Sequence, residues 1–314
     1  MNIIFSIFPY AIAYTIPLLA ASLGGLYSER SGVVNIGLEG LMVMGMFVSA
    51  LTIYFLQPTL GTGALWLGLL AGTLGGAIFS ILHAVASITL KANQVISGTA
   101  INMIAGAMTV FLARNIRGSG NISITLGFIP HDVPFLSKIP LLGPLFFSRA
   151  YVTTWVVLAI LGLSWLLIYK TPFGLRLRAC GEHPQTADAA GINVYRIRYI
   201  AVIISGALAG LAGSVMLVTY SGEFNGSVAG LGFLALAALI FGQWKPLGIL
   251  GATFFFGFAA TMANVSQAVP ELARIPGLIL KAFPYVVTLI ALIFFSRSSQ
   301  APRASGEPFD KGKR

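Results

Sequence analysis

The sequence predicts an all-α fold, a polytopic integral membrane bundle of about nine transmembrane helices, with eight to ten in range. Three observations predict it. Hydrophobic residues make up 57% of the 314 positions and charged residues only 9%, against about 25% charged in a soluble globular domain. Mean hydropathy is +0.88. The apolar residues are gathered into runs near 20 residues, about the length that crosses a bilayer as a helix. Period-2 alternation, the mark of a membrane β-barrel, is absent. A water-facing enzyme surface and a disordered chain are both excluded by this composition.

Taken in order, the apolar segments lie at roughly 3–27, 38–56, 64–88, 95–113, 152–169, 200–219, 228–242, 246–264 and 278–295. The chain starts Met1-Asn2-Ile3-Ile4-Phe5 with no basic stretch, so the first segment reads as a span and not as a cleaved signal peptide. The segment at 228–242 is short and glycine-flanked, which suits a tilted or broken helix. Residues 1–295 form a single membrane domain, and the polar, basic tail 296–314 reads as disordered. The loop 114–151 carries Pro130, Pro134, Pro140 and Pro144 among apolar residues. It is either a docking surface for an external partner or a cap packed on the bundle.

Charge sets the orientation. With the loop 170–199 in the cytoplasm and nine spans, thirteen of the nineteen Lys and Arg residues fall inside and six outside. The reverse would break the positive-inside rule. The N-terminus is then outside and the C-terminus cytoplasmic, in keeping with a basic balance of +10 that reflects cytoplasmic loops and not nucleic-acid binding.

The 36 glycines are about 11% of the chain, where about 7% is usual. Gly72 with Gly76, and Gly206 with Gly210, stand at the small-xxx-small spacing that lets membrane helices approach closely.

Polar residues at span ends are the candidates for chemistry. Glu39 opens the second span, where a carboxylate must be paired, hydrated or held by a helix N-terminus. Asn35 is placed to cap the same helix. Asn93, Gln94, Ser97, Thr99 and Asn102 form a second cluster at the start of the fourth span, and Asn264 lies near the outer end of the eighth. Of these, Asn35, Glu39, Asn93, Gln94, Asn102 and Asn264 are the candidate pathway residues, with structural bonding between helices as the competing reading. His83 is the lone histidine of an apolar segment and is expected to be satisfied locally. One cysteine and no clustered histidines leave no expected metal site.

The loop from Thr171 to Ile192 contains Pro184-Gln185-Thr186-Ala187-Asp188-Ala189-Ala190-Gly191. Proline suits a first helical turn and glycine a C-terminal stop, so this octapeptide predicts a helix of about two turns. So short a helix needs a surface to pack on, either the underside of the bundle or another subunit. No phosphate-binding loop, nucleophile elbow or zinc-protease motif is present. Span centres nearly lack ionisable residues, so the ion-coupled carrier, the competing transporter class, is disfavoured.

Three stretches resemble the membrane permease subunits of bacterial ATP-binding cassette importers, in the ribose and branched-chain amino acid permease superfamily. They are Ser28-Glu29-Arg30-Ser31-Gly32-Val33-Val34-Asn35-Ile36-Gly37-Leu38-Glu39-Gly40, the loop Gly174–Ile192 with the Ile200–Gly213 helix, and the block Ala229–Gly248. The wording is most similar to permeases for nucleosides and simple sugars. The resemblance implies a subunit that moves nucleosides, or as the alternative ribose-type sugars, into the cell across the bacterial inner membrane. It implies no cofactor in this chain, because a separate cytoplasmic ATPase hydrolyses the ATP. It further implies a second, related permease and an extracytoplasmic substrate-binding protein, and it places Pro184–Gly191 in a groove of the ATPase.

Overall fold

Apolar runs in a bilayer become helices because only helices and closed barrels satisfy every backbone group internally. In the computed structural model, which describes residues 2–140, 142–265, 282, 286 and 300–312, ten α-helices form. They are α1 (Asn2–Arg30), α2 (Leu38–Leu60), α3 (Gly63–Ala84), α4 (Gln94–Arg117), α5 (Val152–Lys170), α6 (Pro172–Glu182), α7 (Pro184–Ala189), α8 (Val194–Met216), α9 (Leu231–Phe241) and α10 (Pro246–Val265). Single π-turns extend α3 through Thr89 and α8 through Ser221.

Six of these segments are long and apolar enough to cross a membrane, and two shorter apolar helices, Leu231–Phe241 and Pro246–Met262, accompany them. These counts are of the described residues, and the expected total of about nine helices is not reached among them. The segment at 228–242 yields only eleven helical residues, a rise of about 16 Å and half the thickness of a hydrocarbon core. The expected span at 278–295 lies outside the described residues apart from two positions.

Burial ranks the helices. In α8 and α1, 78% and 72% of the apolar window is buried, whereas α4 has 22%. The centre of the bundle is therefore α1, α2 and α8, with α4 at the rim. The close crossings run through glycine. A Cβ on Gly210 of α8 would collide with the Gly72 carbonyl of α3, and one on Gly45 of α2 would collide with Gly210. Backbones pressed this tightly gain dispersion contacts that lipid cannot compete for.

At one end of the bundle the 114–151 loop is held down. Its strand β1 (Ile122–Ser123) pairs antiparallel with β2 (Glu223–Phe224). Gln57 of α2 accepts from Thr125 N at 2.9 Å and donates to Leu126 O at 2.9 Å, and Ile122 is fully buried. These contacts hold the loop on the bundle, with Phe135 and Ile129 exposed on its outside.

At the other end, the 170–199 loop is largely helical. Thr171 caps α6 by accepting from Gly174 N at 3.2 Å, and α7 closes at Gly191, whose φ of +81° suits glycine. Of the tail 296–314, read as disordered from its composition, residues 300–312 are described and lie against this end. Pro302, Ala304 and Phe309 are buried, and Arg198 of α8 donates to the Glu307 carbonyl at 3.0 Å. Three inward apolar residues and an acceptor for a buried cation give the tail enough to dock, which its polar composition concealed.

Candidate functional site

The connection between α1 and α2, residues 31–37, is buried and polar, so each of its backbone groups needs a partner. Its neighbours supply them. Gln94 accepts from Val34 N at 2.7 Å. Asn35 donates to Ser205 Oγ at 2.9 Å and accepts from Gly37 N at 3.1 Å. Asn102 of α4 accepts from Gly40 N at 2.7 Å and donates to Ile36 O at 3.0 Å. His83 sits between Ser97 Oγ at 2.9 Å and Val34 O at 3.1 Å, the local satisfaction its isolation implied. This knot lies deep. Ser205 is eleven residues into α8 from Val194, about 16 Å along the axis.

Glu39 completes the knot. Its Oε1 accepts from Gly230 N at 2.8 Å and its Oε2 from Gly232 N at 2.7 Å. Gly230, with φ +81°, is the residue immediately before α9. The first N–H groups of a helix have no partner inside it, and the helix dipole makes that end positive. A carboxylate there forms charge-assisted bonds. Glu39 is therefore more than a first-turn acid of its own helix: it caps a second helix, α9, which starts in the middle of the bundle.

The far end of α9 is also anchored, by residues to which the sequence reading gave no role. Trp244 Nε1 donates to the buried Glu29 Oε2 at 2.5 Å. Arg30 donates through Nε and Nη2 to the Trp244 carbonyl at 3.2 and 2.8 Å, and its Nη1 lies 3.9 Å from Glu182 of α6. Gln243 and Trp244 both hold φ of +52°, an uncommon conformation for side-chain-bearing residues and a local strain the surroundings must sustain. The available signal was a pair of charges at the end of α1 that had no partner nearby in sequence.

The other candidates separate. Asn93 is exposed and caps α4, accepting from Val95 N at 2.9 Å and Ile96 N at 3.2 Å. Asn264 falls in the last turn of α10, and its side chain is outside the described residues. On α7, Pro184 and Ala187 turn inward while Gln185, Thr186, Ala189, Ala190 and Gly191 are exposed, and Asp188 pairs with Lys311 at 3.6 Å. Cys180 on α6 is fully buried, which pushes its thiol up to about 11. Among the described residues no cluster of His, Cys, Asp or Glu could hold a metal ion.

A family model described as the permease component of the branched-chain amino acid transport system matches residues 7–295. The chain belongs to this permease family. The permease is a multi-pass membrane protein. It is 46% identical over 316 residues to the guanosine ABC transporter permease protein NupQ of Bacillus subtilis (strain 168), covering 100% of this chain and 99% of that one. It is 41% identical over 303 residues to the nucleoside ABC transporter permease protein NupC of Lactococcus lactis subsp. cremoris (strain MG1363), 96% of each chain. The guanosine ABC transporter permease protein NupP of the same Bacillus strain is 26% identical over 262 residues, 77% of this permease and 69% of that protein.

Proposed function

We propose that the permease is the nucleoside-moving membrane subunit of an ATP-binding cassette importer. The observation that carries this is full-length identity of 46% and 41% to permeases named for guanosine and for nucleosides. The Bacillus strain with the NupQ relative also has NupP, another guanosine permease and a more distant relative of this chain. That pairing supports a heterodimer of this permease with a second, related one.

In this reading α6 and α7 face the cytoplasm, where most of the basic residues gather, and the N-terminus is outside. The exposed face of α7, Gln185, Thr186, Ala189, Ala190 and Gly191, seats in the ATPase, which hydrolyses the ATP; the chain itself carries no cofactor. A substrate-binding protein delivers nucleoside to the cap formed by the 114–151 loop. ATP binding moves α6 and α7. The contact of α6 with Arg30 carries that movement to α9 and so to the Glu39 knot in mid-bundle. Asn35, Gln94 and Asn102 brace that knot and present amides suited to a neutral, hydroxylated solute. Asn93 and Asn264 sit at the margins of the same route.

The test is uptake of labelled guanosine in cells with and without the chain, in the presence of excess ribose. Chain-dependent uptake that ribose leaves unchanged supports the reading. Uptake that ribose abolishes points to a sugar permease instead.

A further inference from the structure

We propose that residues 300–312 form a positioning strap that carries the movement of the α6–α7 segment to the buried 31–37 connection and the α3–α4 turn. This rests on the reading of α6 and α7 as the part an ATPase moves.

Within eight residues the strap touches α6, α7, α8, the 31–37 connection and the α3–α4 turn. Ala304 N donates to Gly181 O on α6 at 2.9 Å, and Gly306 N donates to Gly32 O at 3.2 Å. Asp310 pairs with Lys91, in the turn between α3 and α4, at 3.0 Å. Lys311 pairs with Asp188 on α7 at 3.6 Å. The Phe309 ring packs on Tyr195 of α8 with centroids 5.3 Å apart.

One side chain ties these contacts into a unit. Arg198 is 1% exposed, the largest fully buried side chain described. Its Nε donates to Ser31 O at 3.1 Å and its Nη1 to Glu307 O at 3.0 Å. A buried guanidinium must keep its acceptors. The strap and the 31–37 connection are thus fastened to the same cation, and neither shifts without dragging or orphaning it. The 31–37 connection carries Asn35 and leads directly into Glu39. The strap therefore gives α7 a second route to the mid-bundle knot, beside its own packing on α6 and α8.

The strap also differs from a simple plug. Its C-terminal end holds by two ion pairs, at Asp310 and Lys311, between partly exposed or exposed side chains, which are weak and reversible, while residues 304–306 are fixed by main-chain bonds. That combination suits a link that stays attached while its C-terminal end follows Lys91 and α7.

Amide hydrogen exchange on the assembled complex with its ATPase tests this without any transported solute. Exchange is read at 31–40 and at 172–189 with and without ATP, for the full chain and for a chain ending at 299. In the full chain ATP should change exchange in both segments. In the shortened chain the change at 172–189 should persist and the change at 31–40 should fall at least threefold. Equal ATP-dependent changes at 31–40 in both chains would overturn the strap. So would their joint loss in the shortened chain while D310K behaves as wild type.

A second pair of variants leaves Arg198 and α7 untouched. D310K, placing lysine opposite Lys91, should weaken the response at 31–40, and K91D with D310K should restore it. A double variant no better than D310K would also count against the proposal. Guanosine uptake by the wild-type assembly, run alongside, judges the functional reading separately.

Discussion

Glu39 of α2 accepts a 2.7 Å hydrogen bond from the backbone N–H of Gly232, 193 residues later in the chain. With the matching bond from Gly230 at 2.8 Å, it fixes where α9 begins. Replacing Glu39 by Ala leaves two part-buried donors without an acceptor, at about 1–3 kcal/mol each. E39A should lower the thermal midpoint of the purified permease by several degrees and reduce uptake at least tenfold. E39Q, which retains one acceptor oxygen but no charge, should fall between. An E39A protein as stable and active as wild type would show that α9 needs no cap.

The opposite end of α9 offers a double-mutant cycle. Trp244→Phe keeps an aromatic ring, though a smaller one, and removes the donor to the buried Glu29 carboxylate, and should destabilise by about 1–3 kcal/mol. E29Q alone should cost less, since the amide still offers an oxygen to the indole. The two losses should combine to less than their sum, because both act on the same bond, one weakening it and the other removing it. Chemical denaturation in detergent measures the four corners, and full additivity would refute the pairing.

Glycine substitutions should divide sharply. Gly210→Ala forces a Cβ into the Gly72 carbonyl and should cost about 1–3 kcal/mol by overpacking. Gly106→Ala, in α4 with nothing within 4 Å of its Cβ, should be neutral or stabilising by up to about 1 kcal/mol. Thermal unfolding of the two variants in one detergent makes the comparison.

Cys180 should resist alkylation. Its side chain is fully buried, and burial holds the thiol near 11, so it stays protonated across pH 6–9. Because the folded thiol lies above its ordinary value, its contribution to stability is level below about pH 8.5 and declines as pH rises toward 11. Maleimide should label the protein only after denaturation, and rapid labelling of the native permease would contradict the packing around α6.

Ala189→Arg should insert well but lose its ATPase. Ala189 is exposed beside Gln185 and Thr186 on the outer face of α7, so a long charged side chain there disturbs nothing within the permease. Copurification of the ATPase with wild-type yield, together with wild-type uptake, would remove α7 from the docking surface.

Much of this organisation was legible in the sequence. Apolar run length located the helices, because a bilayer demands about 20 residues per span whatever the neighbours are. Proline at 184 and glycine at 191 bounded α7, because both act through local backbone geometry. The spacing of Gly72, Gly76, Gly206 and Gly210 marked the faces that meet, since helical periodicity alone puts each pair on one side. The partners were not legible. Glu39 looked like a first-turn acid of its own helix, and only the fold brings Gly230 and Gly232 to it. Glu29, Arg30 and Trp244 gave no local sign of one another, and a polar tail gave no sign of Arg198 waiting for an acceptor. The sequence determined where helices form and which faces are small, because those follow from solvent and from contacts within a few residues. The tertiary structure decided which buried polar group satisfies which, because those bonds join positions a hundred or more residues apart, whose proximity depends on how every helix between them packs.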